Sequence, residues 1–228
     1  MSKAAPWAIV SYFTDIDNQA PARANYSMKK VLHVGCGSAT IEKMPKGFQD
    51  GSWEEVRYDI SPDCQPDYIG DMLDMSTVSD GSMDALYSSH NVEHVFFHEV
   101  PILLKEFRRV LRDDGFCVIT CPDIQEVARF MAQGKLDEPL YQSPTGPISP
   151  LDIMYGHSAS IEHGRVYMAH KTGFSLELLA KRLNQSGFGQ YHGRRRRSHR
   201  DLWFIAAKNK VSAGVMEDIF IQYTPFLD

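Results

Sequence analysis

The apolar run "VLHV" at residues 31–34 stops at Gly35-Cys36-Gly37. Glycines at the end of a buried run mark a place where backbone can come close to a ligand, because no Cβ intrudes. The next three residues, Ser38, Ala39 and Thr40, hold no third glycine, so the turn lacks the pattern that cradles a dinucleotide's pyrophosphate. Two acids follow in order: Asp59 near the end of "WEEVRYDI" and Asp71 in "PDYIGDM". Further along, "SSHNVEH" gathers His90, Glu93 and His94, and His98 lies four positions on. Steps of four would place His90, His94 and His98 on one helical face, as metal ligands can be. Imidazole spacing alone is a poor guide to a metal, and none is expected; the plainer reading is a helix N-terminus with Glu93 near the positive end of the dipole. His90, His94, His157 and His163 are the candidate general bases, since imidazole titrates near neutral pH. Cys36 has no paired base and reads as a small filler.

These residues need elements to position them. Apolar runs bounded by turn residues predict buried strands at 31–34, 53–60, 66–72, 82–90 and 116–123. Val100, Leu103, Leu104, Phe107, Val110 and Leu111 recur at helical spacing, with Pro101 in the first turn and Gly115 as the expected C-terminal cap. Asp123 is the expected N-cap of a helix ending near Gly134, and Ser175 that of a helix stopped by Gly187. Strands alternating with helices predict βαβ units and a mostly parallel sheet with helices on both faces. "GQYHGRRRRSHRDLWFIAAKN" predicts two final strands around the turn Ser198–Arg200. Its four arginines read as a solvated strand face, with an anionic partner as the alternative.

Two stretches break the rhythm. Residues 1–29 carry scattered aromatics and read as an irregular or short helical arm. Residues 135–172 hold prolines at 139, 144, 147 and 150 but also Tyr141, Tyr155, His157, His163, Tyr167 and His170, and read as a lid insertion within one domain spanning 1–228. The tail, 211–228, is expected to form a short helix and an extended end.

The chain of 228 residues carries a formal net charge of -5, which argues against bulk nucleic-acid binding. No apolar run approaches the ~20 residues of a membrane span. The first residues show no long apolar segment, so no secretory signal is expected. The four cysteines form no CxxC pair and are expected to be reduced thiols in a cytoplasmic protein.

The order of landmarks is distinctive: glycine turn, acid, acid, "SSHNVEH", then an amphipathic helix running into "EFRRVLRDDGFCVITCPD". It resembles the class I S-adenosylmethionine-dependent methyltransferases, specifically a small subgroup with an EH…RVL…GG…P signature, over residues 30–123. The resemblance implies an α/β, Rossmann-like doubly wound, mostly parallel seven-stranded sheet whose C-terminal hairpin inserts one antiparallel strand. It implies S-adenosylmethionine as cofactor, held by Gly35, Cys36, Gly37, Asp59, Ile60, Asp71, Met72, Ser89 and His90. Asp59 would accept from both ribose hydroxyls, because an ionised carboxylate offers only acceptors. Asp71 and the Met72 backbone would read the adenine edge. Relatives often carry an acid two residues before the first glycine, where this chain has His33, and the helix after the turn is interrupted by Pro45 and Gly47.

The function expected is methyl transfer to a small-molecule or sugar acceptor, preferably at a hydroxyl, with His90, His94 and His157 as the catalytic candidates. No nucleic-acid or membrane partner is expected, and a homodimer is left open. Two alternatives stand beside it. One is a non-catalytic cofactor-binding protein of the same fold. The other is a nicotinamide-dependent reductase working through Tyr167 and Lys171, the Tyr-x-x-x-Lys pair in "YMAHK".

Overall fold

The computed structural model describes residues 28–143 and 146–226. The elements run in the order β1 (Lys29–Val34), β2 (Trp53–Asp59), β3 (Tyr68–Ile69), β4 (Met83–Ser89), α1 (Val100–Val110), β5 (Leu111–Pro122) and α2 (Ile124–Met131). An insertion follows, with β6 (Tyr141–Ser143), β7 (Gly146–Ile148), α3 (Pro150–Tyr155) and α4 (Ser158–Glu162). Then come α5 (Leu176–Gln185), β8 (Gln190–Arg196), β9 (Asp201–Ala207) and α6 (Ala213–Tyr223). The arm expected over 1–29 falls, apart from its last two residues, outside the described residues.

Seven strands form one sheet in the order β3-β2-β1-β4-β5-β9-β8. The five on the N-terminal side are parallel; β9 alone runs against its neighbours β5 and β8. This is the Rossmann-like architecture expected from the sequence. Strand order reverses between β1 and β4, the point at which such sheets open a crevice beyond their carboxyl ends.

Both faces are covered. On one, α1 and α5 bury Leu103, Leu104, Phe107, Leu179 and Leu183 against Leu32, Val34 and Leu86. On the other, the segment between β1 and β2 makes only two 3₁₀ turns, Ile41–Lys43 and Lys46–Phe48. Pro45 and Gly47 account for that, since neither favours a continuous helix. The missing cover comes from the C-terminus: Met216, Phe220 and Tyr223 of α6 pack with Phe48, Trp53 and Phe116. Gly47 permits the approach, because a Cβ there would lie 2.6 Å from the Gln222 carbonyl oxygen.

Several boundaries differ from expectation. Gly115 does not cap α1. The helix ends at Leu111, which is already extended, and passes straight into β5. Gly115 lies in an irregularity between the Met83–Leu111 and Ala85–Phe116 pairs, where a Cβ would meet the Asp84 and Arg112 carbonyl oxygens at 3.0 Å. The strand expected over 66–72 shrinks to two residues. Asp123 and Ser175 cap α2 and α5 as expected, accepting from Gln125 N and Leu178 N. The insertion is ordered by Asp152, which forms a capping box with Ser149 and accepts from both Ser158 N and Oγ. Burial would push its carboxyl up, but these donors outweigh burial and hold its pKa at about 2. Among the described residues, no helix is long and apolar enough to cross a membrane.

Phe220 is the anchor of the substitute cover, with the His192 ring at 4.2 Å and the Phe226 ring at 5.6 Å. Phe220→Ala should cost about 3–5 kcal/mol in urea unfolding, the range for a buried aromatic; a loss near zero would show that α6 does not hold this face.

Candidate functional site

The parallel strands end on a cavity of about 780 Å³, within the ~300–1,000 Å³ usual for small-molecule sites. Four segments on the sheet side line it: Gly35 and Gly37 after β1, Asp59 to Ser61 after β2, Asp71 to Leu73 beyond β3, and Ser89 to Asn91 after β4. The insertion supplies the opposite wall with Tyr141, His157, Ser160, Arg165, Tyr167 and Lys171.

Asp59 organises the sheet side. It is only 8% exposed. Its Oδ2 accepts from Gly37 N and its Oδ1 from Ser61 N, each at 2.8 Å. One carboxylate thereby ties the glycine turn to the turn after β2, and each oxygen keeps a further lone pair. Gly35 and Gly37 both adopt left-handed backbone, with φ of 62° and 51°. Arg57 fixes the second of them by donating to the Gly37 carbonyl oxygen at 2.6 Å.

Asn91 was not singled out in the sequence. Its Nδ2 donates to the Val34 and Ser89 carbonyl oxygens at 2.9 and 3.1 Å, joining the ends of β1 and β4. It lies so close to the glycine turn that a Cβ on Gly35 would sit 2.0 Å from Asn91 Oδ1. The only sequence signal was an amide directly after a strand.

Of the nine residues expected to bind the cofactor, eight line the cavity: Gly35, Gly37, Asp59, Ile60, Asp71, Met72, Ser89 and His90. Cys36 does not. It is buried under the turn beside Asp59 and Cys64, and burial pushes its thiol up to about 12. His33 is also off the wall. It is buried, its Nδ1 donates to Glu55 Oε1 at 2.6 Å, and its ring packs on Tyr87. Glu55 Oε2 in turn accepts from Ile41 N, so this pair supports the segment beyond the glycine turn from behind.

The three catalytic candidates His90, His94 and His157 all line the cavity. His163 does not; it is exposed and bonded to the Ala159 carbonyl oxygen. The face shared by His90, His94 and His98 is not formed, because Val92–His94 is a single 3₁₀ turn and exposed His98 stacks on Phe96. Glu93 is not a helix-dipole residue either. Glu99 occupies the N-terminus of α1, whereas Glu93 is 1% exposed and ringed by histidines. His90 Nδ1 lies 3.5 Å and His170 Nε2 4.0 Å from Glu93 Oε1. Burial would raise the Glu93 carboxyl, but His90, His94 and His170 outweigh it and hold it below the usual carboxylate range. Burial lowers His170.

Tyr167 belongs to a 3₁₀ turn, and Lys171, beyond it in non-helical chain, lies over the Phe96 ring. No shared helix aligns the two as a reductase pair. Three of the four arginines in the run are engaged: Arg194 lies over Phe220, Arg195 pairs with Asp123 at 2.9 Å, and Arg196 pairs with Asp201, while Arg197 is exposed.

A family described as "Methyltransferase domain" matches residues 32–119. No curated protein matches the chain. Among solved structures, the citrinin polyketide synthase CMeT domain matches at 14% identity and a TM-score of 0.54, over 82% of this chain and 48% of that one. The chain thus spans about half of that structure's length. A SAM-dependent methyltransferase from Archaeoglobus fulgidus matches at 15% identity and a TM-score of 0.51, over 79% of this chain and 86% of that one. Burkholderia thailandensis 1,6-didemethyltoxoflavin-N1-methyltransferase, solved with that compound and S-adenosylhomocysteine, matches at 15% identity and a TM-score of 0.50, over 80% of this chain and 72% of that one. The fold is that of S-adenosylmethionine-dependent methyltransferases.

The two glycines differ in their surroundings, since a Cβ on Gly37 would meet nothing within 4 Å. Gly37→Ala should therefore cost only the left-handed backbone term of about 1–2 kcal/mol. Gly35→Ala should cost clearly more in urea unfolding, because Asn91 must leave its two carbonyls; equal losses would show that Asn91 moves without penalty.

Proposed function

We propose that this chain is an S-adenosylmethionine-dependent methyltransferase that acts on a small-molecule or sugar acceptor, at a hydroxyl. The observation that carries the reading is the meeting of Asp59 and the glycine turn with the insertion's polar side chains in one cavity. The residues fit the cofactor. Asp59 keeps lone pairs for a ribose diol, Gly35 and Gly37 let backbone approach an amino-acid moiety, and Asp71 with Met72 borders the place for an adenine edge. Bound there, the cofactor supplies a methyl group already activated by its sulfonium charge.

The chain's own part is alignment, exclusion of water and removal of one proton. The insertion acts as the lid over the acceptor half. His157, with Ser160 Oγ at 2.8 Å from its Nδ1, is the base that takes the acceptor's proton at Nε2. Arg165 and Lys171 make that wall positive, which suits an acceptor carrying a carboxylate or phosphate. The small-molecule class also draws support from the 1,6-didemethyltoxoflavin-N1-methyltransferase that shares the fold. The reductase alternative lacks a helical Tyr167–Lys171 pair.

Calorimetry with S-adenosylhomocysteine tests the cofactor site. The wild type should bind, and Asp59→Ala should lose about 1–3 kcal/mol of affinity, the cost of unpaired polar partners. In a methyl-transfer screen, His157→Gln should keep that affinity but lose about 10²-fold or more in turnover. A folded wild type that binds neither S-adenosylmethionine nor its demethylated product would overturn the proposal.

A further inference from the structure

We propose that Glu93, His94 and His170 form a binding site for a divalent first-row transition metal, of the zinc class, at the edge of the cavity. Glu93 and His94 come from the turn after β4, and His170 from the end of the insertion. Backbone bonds clip the two segments together: Lys171 N and Thr172 N both donate to the Glu93 carbonyl oxygen, at 2.8 and 3.1 Å.

Hydrogen bonding settles which imidazole nitrogens are free. His94 Nδ1 lies 3.1 Å from the Ala169 carbonyl oxygen, and His170 Nδ1 lies 2.7 Å from that of Ile153. A carbonyl only accepts, so both Nδ1 atoms carry the proton and both neutral rings keep a lone pair on Nε2. An imidazole anchored through one nitrogen to a backbone carbonyl is the usual support of a metal-ligating histidine. The third group is a carboxylate buried to 1% exposure, which accepts no close hydrogen bond and whose nearest ion-pair neighbour outside the trio is His90 Nδ1 at 3.5 Å. A buried carboxylate is costly unless it is compensated, and His90 at 3.5 Å leaves its close coordination positions open to a metal ion.

The spacing allows one ion to reach all three. One ligand atom from each residue lies within 4.8 Å of the other two. The centre of such a triangle is about 2.8 Å from each corner, and zinc bonds of ~2.0–2.2 Å would need each side chain to draw in by less than about 1 Å. Two imidazoles and one carboxylate favour zinc, iron or cobalt over magnesium or calcium. Three protein ligands also leave a coordination position open, as in catalytic and not structural zinc sites. Because His94 lines the cavity, an ion there would polarise an acceptor oxygen held in it. That last role rests on the methyltransferase reading; the metal site itself does not.

The test uses the full chain stripped with a chelator. Calorimetry with Zn²⁺ should show saturable binding, and Co²⁺ should develop visible ligand-field absorption that Zn²⁺ abolishes. Glu93→Gln and His170→Asn should each weaken Zn²⁺ binding by at least about tenfold, while His98→Asn leaves it unchanged. Circular dichroism checks folding, and if buried Glu93 tolerates no change, His170→Asn decides the matter alone. S-adenosylhomocysteine affinity, measured on the same samples, separates failure of the metal site from failure of the methyltransferase reading. A folded wild type that binds no Zn²⁺, or a folded His170→Asn that binds it undiminished, would overturn the site.

Discussion

Parallel strands that end side by side leave backbone N–H and carbonyl groups without partners, and buried backbone groups must find them. Here two side chains meet that demand where the strand order reverses. Asp59 gathers the N–H groups of Gly37 and Ser61, and Asn91 gathers the carbonyls of Val34 and Ser89. β1, β2 and β4 are thus held at the ends that open onto the cavity. The carboxylate is acceptor-only and the amide nitrogen donor-only, so neither could take the other's place. The glycine turn is equally constrained, because left-handed backbone and the closeness of Asn91 both select against a Cβ at position 35.

A second constraint follows from the short segment between β1 and β2. Two 3₁₀ turns do not cover a sheet face, and β1 and β9 are too apolar to leave open to water. The C-terminal helix covers this face instead, through an aromatic cluster of Phe48, Trp53, Phe116 and Tyr223 with ring centroids about 5–6 Å apart. The glycine turn is therefore not the start of a helix, and no helix N-terminus faces the cavity from it. His33 belongs to the same arrangement. Just before the glycine turn this chain buries a histidine that packs on Tyr87 and pairs with Glu55 on β2, whose other oxygen holds Ile41 N.

What was legible in the sequence is what local pattern encodes. The buried runs, the caps Asp123 and Ser175, the stop at Gly187 and the final hairpin all rest on neighbours within a few positions. Asp59 was legible because its distance from the glycine turn is set by one crossover between adjacent strands. The departures are long-range. Gly115 looked like a cap because a glycine follows a helical run, but the pairing of β5 with β4 across an irregularity decided its place. One partner of Glu93, His170, lies at the far end of the insertion, 77 positions on, which no periodicity could indicate, whereas His98 is near in sequence and regular in spacing but stands apart.

Glu93 then has consequences beyond its own burial. Its carbonyl oxygen receives the chain returning from the insertion, and its carboxylate faces histidines from both sides of that junction. The wall formed by the insertion is for this reason not an independent flap. Moving it away would break two backbone bonds to Glu93 and the His94 contact with Ala169, and would expose a charge that the histidines hold in place. Arg165 and Tyr167, both of them exposed cavity-wall residues, stand on a part of the insertion that makes no such bonds to Glu93. The insertion is thereby tied to the turn after β4 at Glu93, and Arg165 places a positive charge on its exposed edge.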